Sequence, residues 1–150
     1  MELEVDINAS ANEVFDEIIA SVLDDIKRST GKKVALEKLC ENYSYSKSMV
    51  NYMGKSVDVT VIINNLIYPE KYSATIINQK GSNTIEYNLC ENDNGVKLKY
   101  KESYDSKSIF QKLNYKLVSL FFTRGNKKIM EKRFHCLEQG IIAKRDKNKM

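Results

Sequence analysis

Residues 81–104 read GSNTIEYNLCENDNGVKLKYKESY, two alternating runs on either side of Asn94-Gly95. Ile85, Tyr87 and Leu89 share one side of the first run, and Leu98, Tyr100, Glu102 and Tyr104 share one side of the second. A period of two over that length is the pattern of a half-buried strand. Asn-Gly favours the positive φ angles that reverse the chain between two strands. This stretch therefore predicts a β-hairpin with one apolar face.

The same pattern spreads outward from the hairpin. Gly54-Lys55 and Gly81-Ser82 read as two further tight turns, and Pro69-Glu70 as a fourth, where proline removes no ladder hydrogen bond. With a two-residue turn at each site, Tyr52 would oppose Val57, Ile63 would oppose Ile76, Asn78 would oppose Ile85, and Leu89 would oppose Tyr100. One face then runs unbroken through five strands. It begins with Ser46, Ser48, Val50 and Tyr52 and continues through Val57, Val59, Val61 and Ile63. Tyr72, Ala74, Ile76 and Asn78 extend it to the hairpin. The other face carries Asp58, Thr60, Glu86, Asn88, Lys97, Lys99 and Lys101. An antiparallel meander with one wet face follows.

Helices flank the meander. Leu3, Val5 and Ile7 alternate as a first strand, and Ser10 with Glu13 forms a capping box. Val14, Phe15, Ile18, Ile19, Val22, Leu23 and Ile26 follow at helical spacing up to Gly31, which predicts a helix over roughly 11–28. A short helix is expected near 35–40. The last helix is expected from Lys107 to about Ile142, with Phe110, Leu113, Leu117 and Phe121 on its apolar stripe. Beyond Gly125 the stripe is carried by Met130, Phe134, Leu137 and Ile141, rotated about a third of a turn, so a kink or a separate partner is expected there.

Composition limits the function classes. At 150 residues, with 42% hydrophobic and 29% charged side chains, the chain fits one globular domain. Neither a basic, apolar leader nor an apolar run long enough to span a bilayer is present. Three widely spaced cysteines form no CxxC pair, which points to a reducing cytoplasm and away from disulfides or zinc. Abundant Lys, Asn and Ile match the usage of AT-rich bacterial genomes. The net charge of +4 comes from the carboxyl end, since residues 124–150 hold nine of the 24 basic and three of the 20 acidic side chains. No phosphate-binding glycine loop or nucleic-acid-binding motif accompanies that charge.

The opening Val5-Asp6-Ile7-Asn8-Ala9-Ser10-Ala11-Asn12-Glu13-Val14-Phe15 resembles the common start of the helix-grip superfamily, which includes START-like and Bet v 1-like proteins and polyketide cyclases. It is similar in particular to a short bacterial subfamily of unknown function. The resemblance covers roughly residues 1–142 and implies an α+β helix-grip domain. In that fold a curved antiparallel sheet of about six strands, in the order β-α-α-β-β-β-β-β-α along the chain, wraps a long C-terminal helix and leaves a cavity. Residues 143–150 are expected as a charged, disordered tail.

The cavity so implied would be lined by Glu102, Tyr100, Tyr104, Tyr87, Tyr72, Asn78, Ser46 and Ser48 from the sheet. Phe110, Leu113, Leu117 and Phe121 would line it from the helix. Five inward tyrosines suit a pocket with an apolar body and a few polar tips, or equally a sheet rim with hydroxyls turned to water. Glu102 is the misfit on an apolar face: a ligand-contacting or proton-transferring group, or a carboxylate bonded to a tyrosine hydroxyl. The single histidine, His135, reads as a surface residue, and Cys90 and Cys136 as small apolar fillers. No residue pattern assigns catalysis, a metal or a cofactor. The expected function is non-catalytic binding of a small, largely apolar molecule. The alternatives are a protein-interaction or homodimerisation module using Met130, Phe134, Leu137 and Ile141, and a cyclase- or hydrolase-like enzyme using Glu102.

Overall fold

A computed structural model describes residues 1–50, 54–106 and 109–149, with the side chains of 1–50, 54–105 and 127–149. The elements are β1 (Glu2–Ile7), α1 (Ala11–Thr30), a single 3-10 turn (Leu36–Lys38), β2 (Ser44–Val50), β3 (Ser56–Ile67), β4 (Lys71–Ile77), β5 (Gly81–Asn92), β6 (Gly95–Ser106) and α2 (Ile109–Asn148). All six strands form one antiparallel sheet in the order β1-β6-β5-β4-β3-β2. This is the helix-grip arrangement, with α1 and α2 both on the apolar side of the sheet.

Helix α1 starts where its cap dictates. Ser10 Oγ accepts from the Glu13 amide at 3.1 Å, and Glu13 Oε1 accepts from the Ser10 amide at 3.1 Å. Such a box satisfies amides that the first turn leaves without helical partners and contributes about 1 kcal/mol. Gly31 ends the helix in the left-handed region at φ 76°, its amide donating to the Lys27 carbonyl at 2.8 Å. Val14, Phe15, Ile18, Ile19, Val22 and Ile26 bury one stripe of the helix. The helix expected near 35–40 reduces to the 3-10 turn.

Each connection departs from the expected turn in position or in length, and parity decides what that does to the faces. At β5–β6 the last pair is Asn92 with Gly95, so Leu89 faces Leu98 and Tyr87 faces Tyr100. At β4–β5, Ala74 rather than Asn78 faces Ile85. At β3–β4, Val61 faces Ile76, because a three-residue turn moves the register by one and a bulge at Asn64 moves it by one more. These displacements are even, and β3 to β6 keep the expected faces. At β2–β3 the last pair is Val50 with Ser56, leaving residues 51–55 between the strands, and Val57 faces Met49. That displacement is odd, so β2 is turned over. Tyr45 and Lys47 point inward, while Ser46 and Ser48 are exposed. Tyr52 lies outside the described residues.

Gly95 cannot be replaced at the β5–β6 turn. Its φ is 149°, and a Cβ built there would lie 2.2 Å from the Ile7 carbonyl oxygen of β1. The turn is thus pressed against the point where β1 gives way to α1.

Helix α2 is continuous from Ile109 to Asn148, so Gly125 does not end it. The rotated stripe has a partner within the chain: Met130, Phe134 and Ile141 are buried in the main core, and Leu137 is half-buried against it. The charged residues from Lys144 to Asn148 continue the helix instead of leaving it as a tail. Arg145 donates to Glu13 from Nη2 to Oε1 at 2.8 Å and from Nε to Oε2 at 3.0 Å, Lys144 pairs with Glu17, and Glu138 Oε2 accepts from the Asn8 amide at 2.8 Å. This clasp fixes the last turns of α2 to the start of α1.

Candidate functional site

Three elements converge on one cavity. From α1, Ile18, Ser21, Val22 and Asp25 share a helical face by their spacing of three and four, and all four line it. From the sheet come Tyr45, Lys47, Val61, Tyr72, Ala74, Ile76, Ile85 and Tyr87. From the second half of α2 come Met130, Arg133, Phe134, Cys136 and Leu137. The cavity has a volume of about 530 Å³ and is open on one side. That volume lies within the range of small-molecule sites, about 300–1,000 Å³. A groove of about 650 Å³ also runs between the start of α1, the β3–β4 turn and β5, and none of the described α2 side chains borders it.

One cluster of the cavity's polar groups sits at its α1–β2 end. Tyr45 donates its hydroxyl to Asp25 Oδ2, and Lys47 Nζ lies 3.1 and 2.9 Å from the two Asp25 oxygens. The Lys47 side chain is 18% exposed and that of Asp25 is 34% exposed, so the pair is shielded without being dry. Burial, together with the Asp25 carboxylate, pushes the Tyr45 hydroxyl well above its ordinary range and keeps it a donor. Burial also raises Tyr72 and Tyr87. Neither hydroxyl ionises near neutral pH, so both tyrosines offer a ligand an O–H.

The other end of the inward face is closed by its own side chains. The Tyr87 and Tyr100 rings meet at a 57° tilt with centroids 5.1 Å apart, and Phe134 meets Tyr87 edge-on at 6.2 Å and Tyr100 at 5.8 Å. Glu102 accepts from the Asn83 amide group at 2.7 Å and from the Tyr100 hydroxyl at 3.0 Å. Its carboxylate therefore has two donors within the sheet, which accounts for a charge on an apolar face. Ile85, not Tyr87, is the residue opposite it.

Of the twelve expected lining residues, Tyr72 and Tyr87 border the cavity. Tyr100 and Glu102 are engaged with each other, and Tyr104 pairs across the sheet with Asn83. Asn78 belongs to a turn, where its Oδ1 accepts from the amides of Lys80 at 2.7 Å and Gly81 at 2.9 Å. Ser46 and Ser48 lie on the outer face, where Ser48 donates to Asp58 at 2.8 Å. Phe110, Leu113, Leu117 and Phe121 lie outside the residues whose side chains are described. Sequence reasoning missed Asp25, Tyr45 and Lys47, although the run Tyr43-Ser44-Tyr45-Ser46 places its aromatic residues on the opposite parity from its serines. Cys90 and Cys136 are exposed instead of filling the core, and so is Cys40. Among the described residues, no group of His, Cys, Asp or Glu could hold a metal ion. No helix among them is long and apolar enough to cross a membrane.

Solved structures share this architecture. A protein of unknown function from Staphylococcus aureus, SA2116, superposes with a TM-score of 0.60 at 19% identity over 93% of each chain. Ara h 8.0201 does so with a TM-score of 0.56 at 14% identity over 95% of this chain and 97% of its own. The di-domain ARO/CYC StfQ from the steffimycin biosynthetic pathway gives a TM-score of 0.56 at 9% identity, covering 94% of this chain and 48% of its own. Identities this low establish the fold and nothing more. No curated protein matches the chain. Residues 1–123 match the family described as Domain of unknown function (DUF3284). The chain thus belongs to the DUF3284 family and has the helix-grip fold shared by Bet v 1-like and ARO/CYC proteins.

Proposed function

We propose that this protein binds a small, largely apolar molecule between α1, the sheet and the second half of α2, without transforming it. The observation that carries the reading is the cavity of about 530 Å³, which a filled core would lack. Ile18, Val22, Val61, Ile76, Ile85 and Leu137 supply apolar walls. Tyr72 and Tyr87 supply hydroxyls at fixed positions, the usual composition of a binding pocket. The fold neighbours support a ligand-binding scaffold. Catalysis has less support, because Asp25 is already engaged by Lys47 and Tyr45, and Glu102 by Asn83 and Tyr100. A general acid or base needs a proton it can exchange with a substrate.

Cys136 gives a direct assay, since it is an exposed thiol at the cavity wall while Cys40 and Cys90 are exposed thiols elsewhere. Protein purified under native conditions is expected to carry small-molecule adducts in native mass spectrometry. Stripping them should speed alkylation of Cys136 and leave Cys40 and Cys90 unchanged. Leu137→Trp, which pushes a larger ring into the cavity, should weaken binding and reduce the adducts. If they persist in Leu137→Trp with the same affinity, the molecule is held elsewhere and the assignment fails.

A further inference from the structure

The charged side chains around the cavity are not equivalent. Asp25 is paired with Lys47, and Glu17 is paired with Lys144. The fourth, Arg133, has no carboxylate partner among the described residues; its one bonded neighbour is Met130 Sδ, 3.8 Å from Nη1. Its own helix offers none either. The positions three and four away are Ile129, Met130, Cys136 and Leu137, and residues 106–126 include no aspartate or glutamate. Arg133 is exposed and lines the cavity, which places its guanidinium at the mouth. Among the described lining residues the two acids are neutralised and one of the two cations is not, so the charge they leave unbalanced is a single positive one. An arginine in that position presents several N–H donors in a plane that matches a carboxylate.

We propose that the cavity selects an apolar molecule bearing one carboxylate, with the apolar body on the walls formed by Val22, Ile76, Ile85 and Leu137 and the carboxylate on the Arg133 guanidinium. This rests on the binding function proposed above and adds the chemical class of the ligand. Lys47 is not the recognition group, because Asp25 already takes its charge. An amine would meet Arg133 with like charge and find no free acid.

Two probes of equal chain length separate this inference from the reading beneath it. Decanoate and 1-decanol are titrated into the protein while the methyl resonances of Ile85 and Leu137 are followed by NMR. Decanoate is expected to bind at least about tenfold more tightly than decanol, the order expected for charge-assisted hydrogen bonds at a partly exposed site. Arg133→Gln should bring decanoate to the affinity of decanol and leave decanol unchanged, and Arg133→Lys should restore part of the difference. Arg133 is exposed and bonded to no backbone group, so neither variant should disturb the fold. Equal affinities in the native protein, or an equal loss for both probes in Arg133→Gln, overturns the carboxylate assignment while leaving the cavity as a binding site. Absence of shifts with either probe overturns the binding reading and this inference together.

Discussion

The inward face of one sheet has two ends that solve the same problem differently. At the β5–β6 end, Tyr87, Tyr100 and Phe134 pack against one another, and Glu102 is satisfied by Asn83 and Tyr100. At the β2–α1 end, Asp25, Tyr45 and Lys47 satisfy one another at the edge of an unfilled space. Both ends place polar groups on an apolar face and both provide them with partners. Among the described residues the unfilled space reaches Tyr87 and Phe134 but not Tyr100 or Glu102. Polar residues on an inward face therefore do not by themselves mark a pocket.

The sharpest way to separate the two ends is to remove bulk from each. Leu98→Ala, at a position with 0% exposure, should cost about 3 kcal/mol in urea unfolding. Ile76→Ala, which borders the cavity opposite Val61, should cost only about 1 kcal/mol, since part of its surface already lacks packing partners. Equal losses would mean that the cavity is not a void in solution. Breaking the polar cluster at the open end comes next: Lys47→Met leaves the shielded Asp25 charge with Tyr45 alone and should cost about 1–2 kcal/mol, most of it recovered in Asp25→Leu/Lys47→Met. At the closed end Tyr100→Phe should cost about 1 kcal/mol, because Glu102 keeps its bond from Asn83.

The smallest effect belongs to the clasp and depends on pH. Hydrogen bonds from Arg145, followed by the Ser10 amide, hold the Glu13 carboxyl down to about 2 from its ordinary 4.5. A carboxyl with a depressed value stabilises the fold fully above its unfolded value and loses that contribution as the pH falls through the folded one. Native protein and Arg145→Gln should therefore differ most in stability above about pH 4.5 and converge toward pH 2. Both side chains are more than a third exposed, so solvent screening keeps the difference small. Thermal melts between pH 2 and 6 test it, and a gap that persists at pH 2 would assign the effect to packing by the arginine stem.

What could be read in advance followed from local chemistry. The Ser10–Glu13 box and Gly31 bracket α1 because both signals concern backbone groups within a few residues. The apolar face of β3 to β6 is legible because each of their registers departs from the expected one by an even number of residues. The face of β2 was not, since residues 51–55 displace its register by an odd number and exchange Ser46 and Ser48 for Tyr45 and Lys47. The cavity itself depends on contacts between α1, β2 and α2, which lie far apart in the chain. No periodicity reports such contacts. Glu102 drew notice as a lone charge on an apolar face, yet Asn83 resolves it from the neighbouring strand. The stripe Met130, Phe134, Leu137 and Ile141 was visible as rotated, but the sheet that receives it was not.

The clasp at Arg145 also makes α2 a lever. Arg145 and Arg133 are twelve positions apart on one continuous helix, which at a rise of 1.5 Å per residue is about 18 Å. A tilt of about 5° pivoting at the clasp would carry the Arg133 guanidinium roughly 1.6 Å sideways over that length. That displacement separates a good hydrogen bond from none. The fit of an anion at the mouth of the cavity is thus set partly at the far end of the helix, where Glu13 and Glu17 grip a turn that touches no ligand.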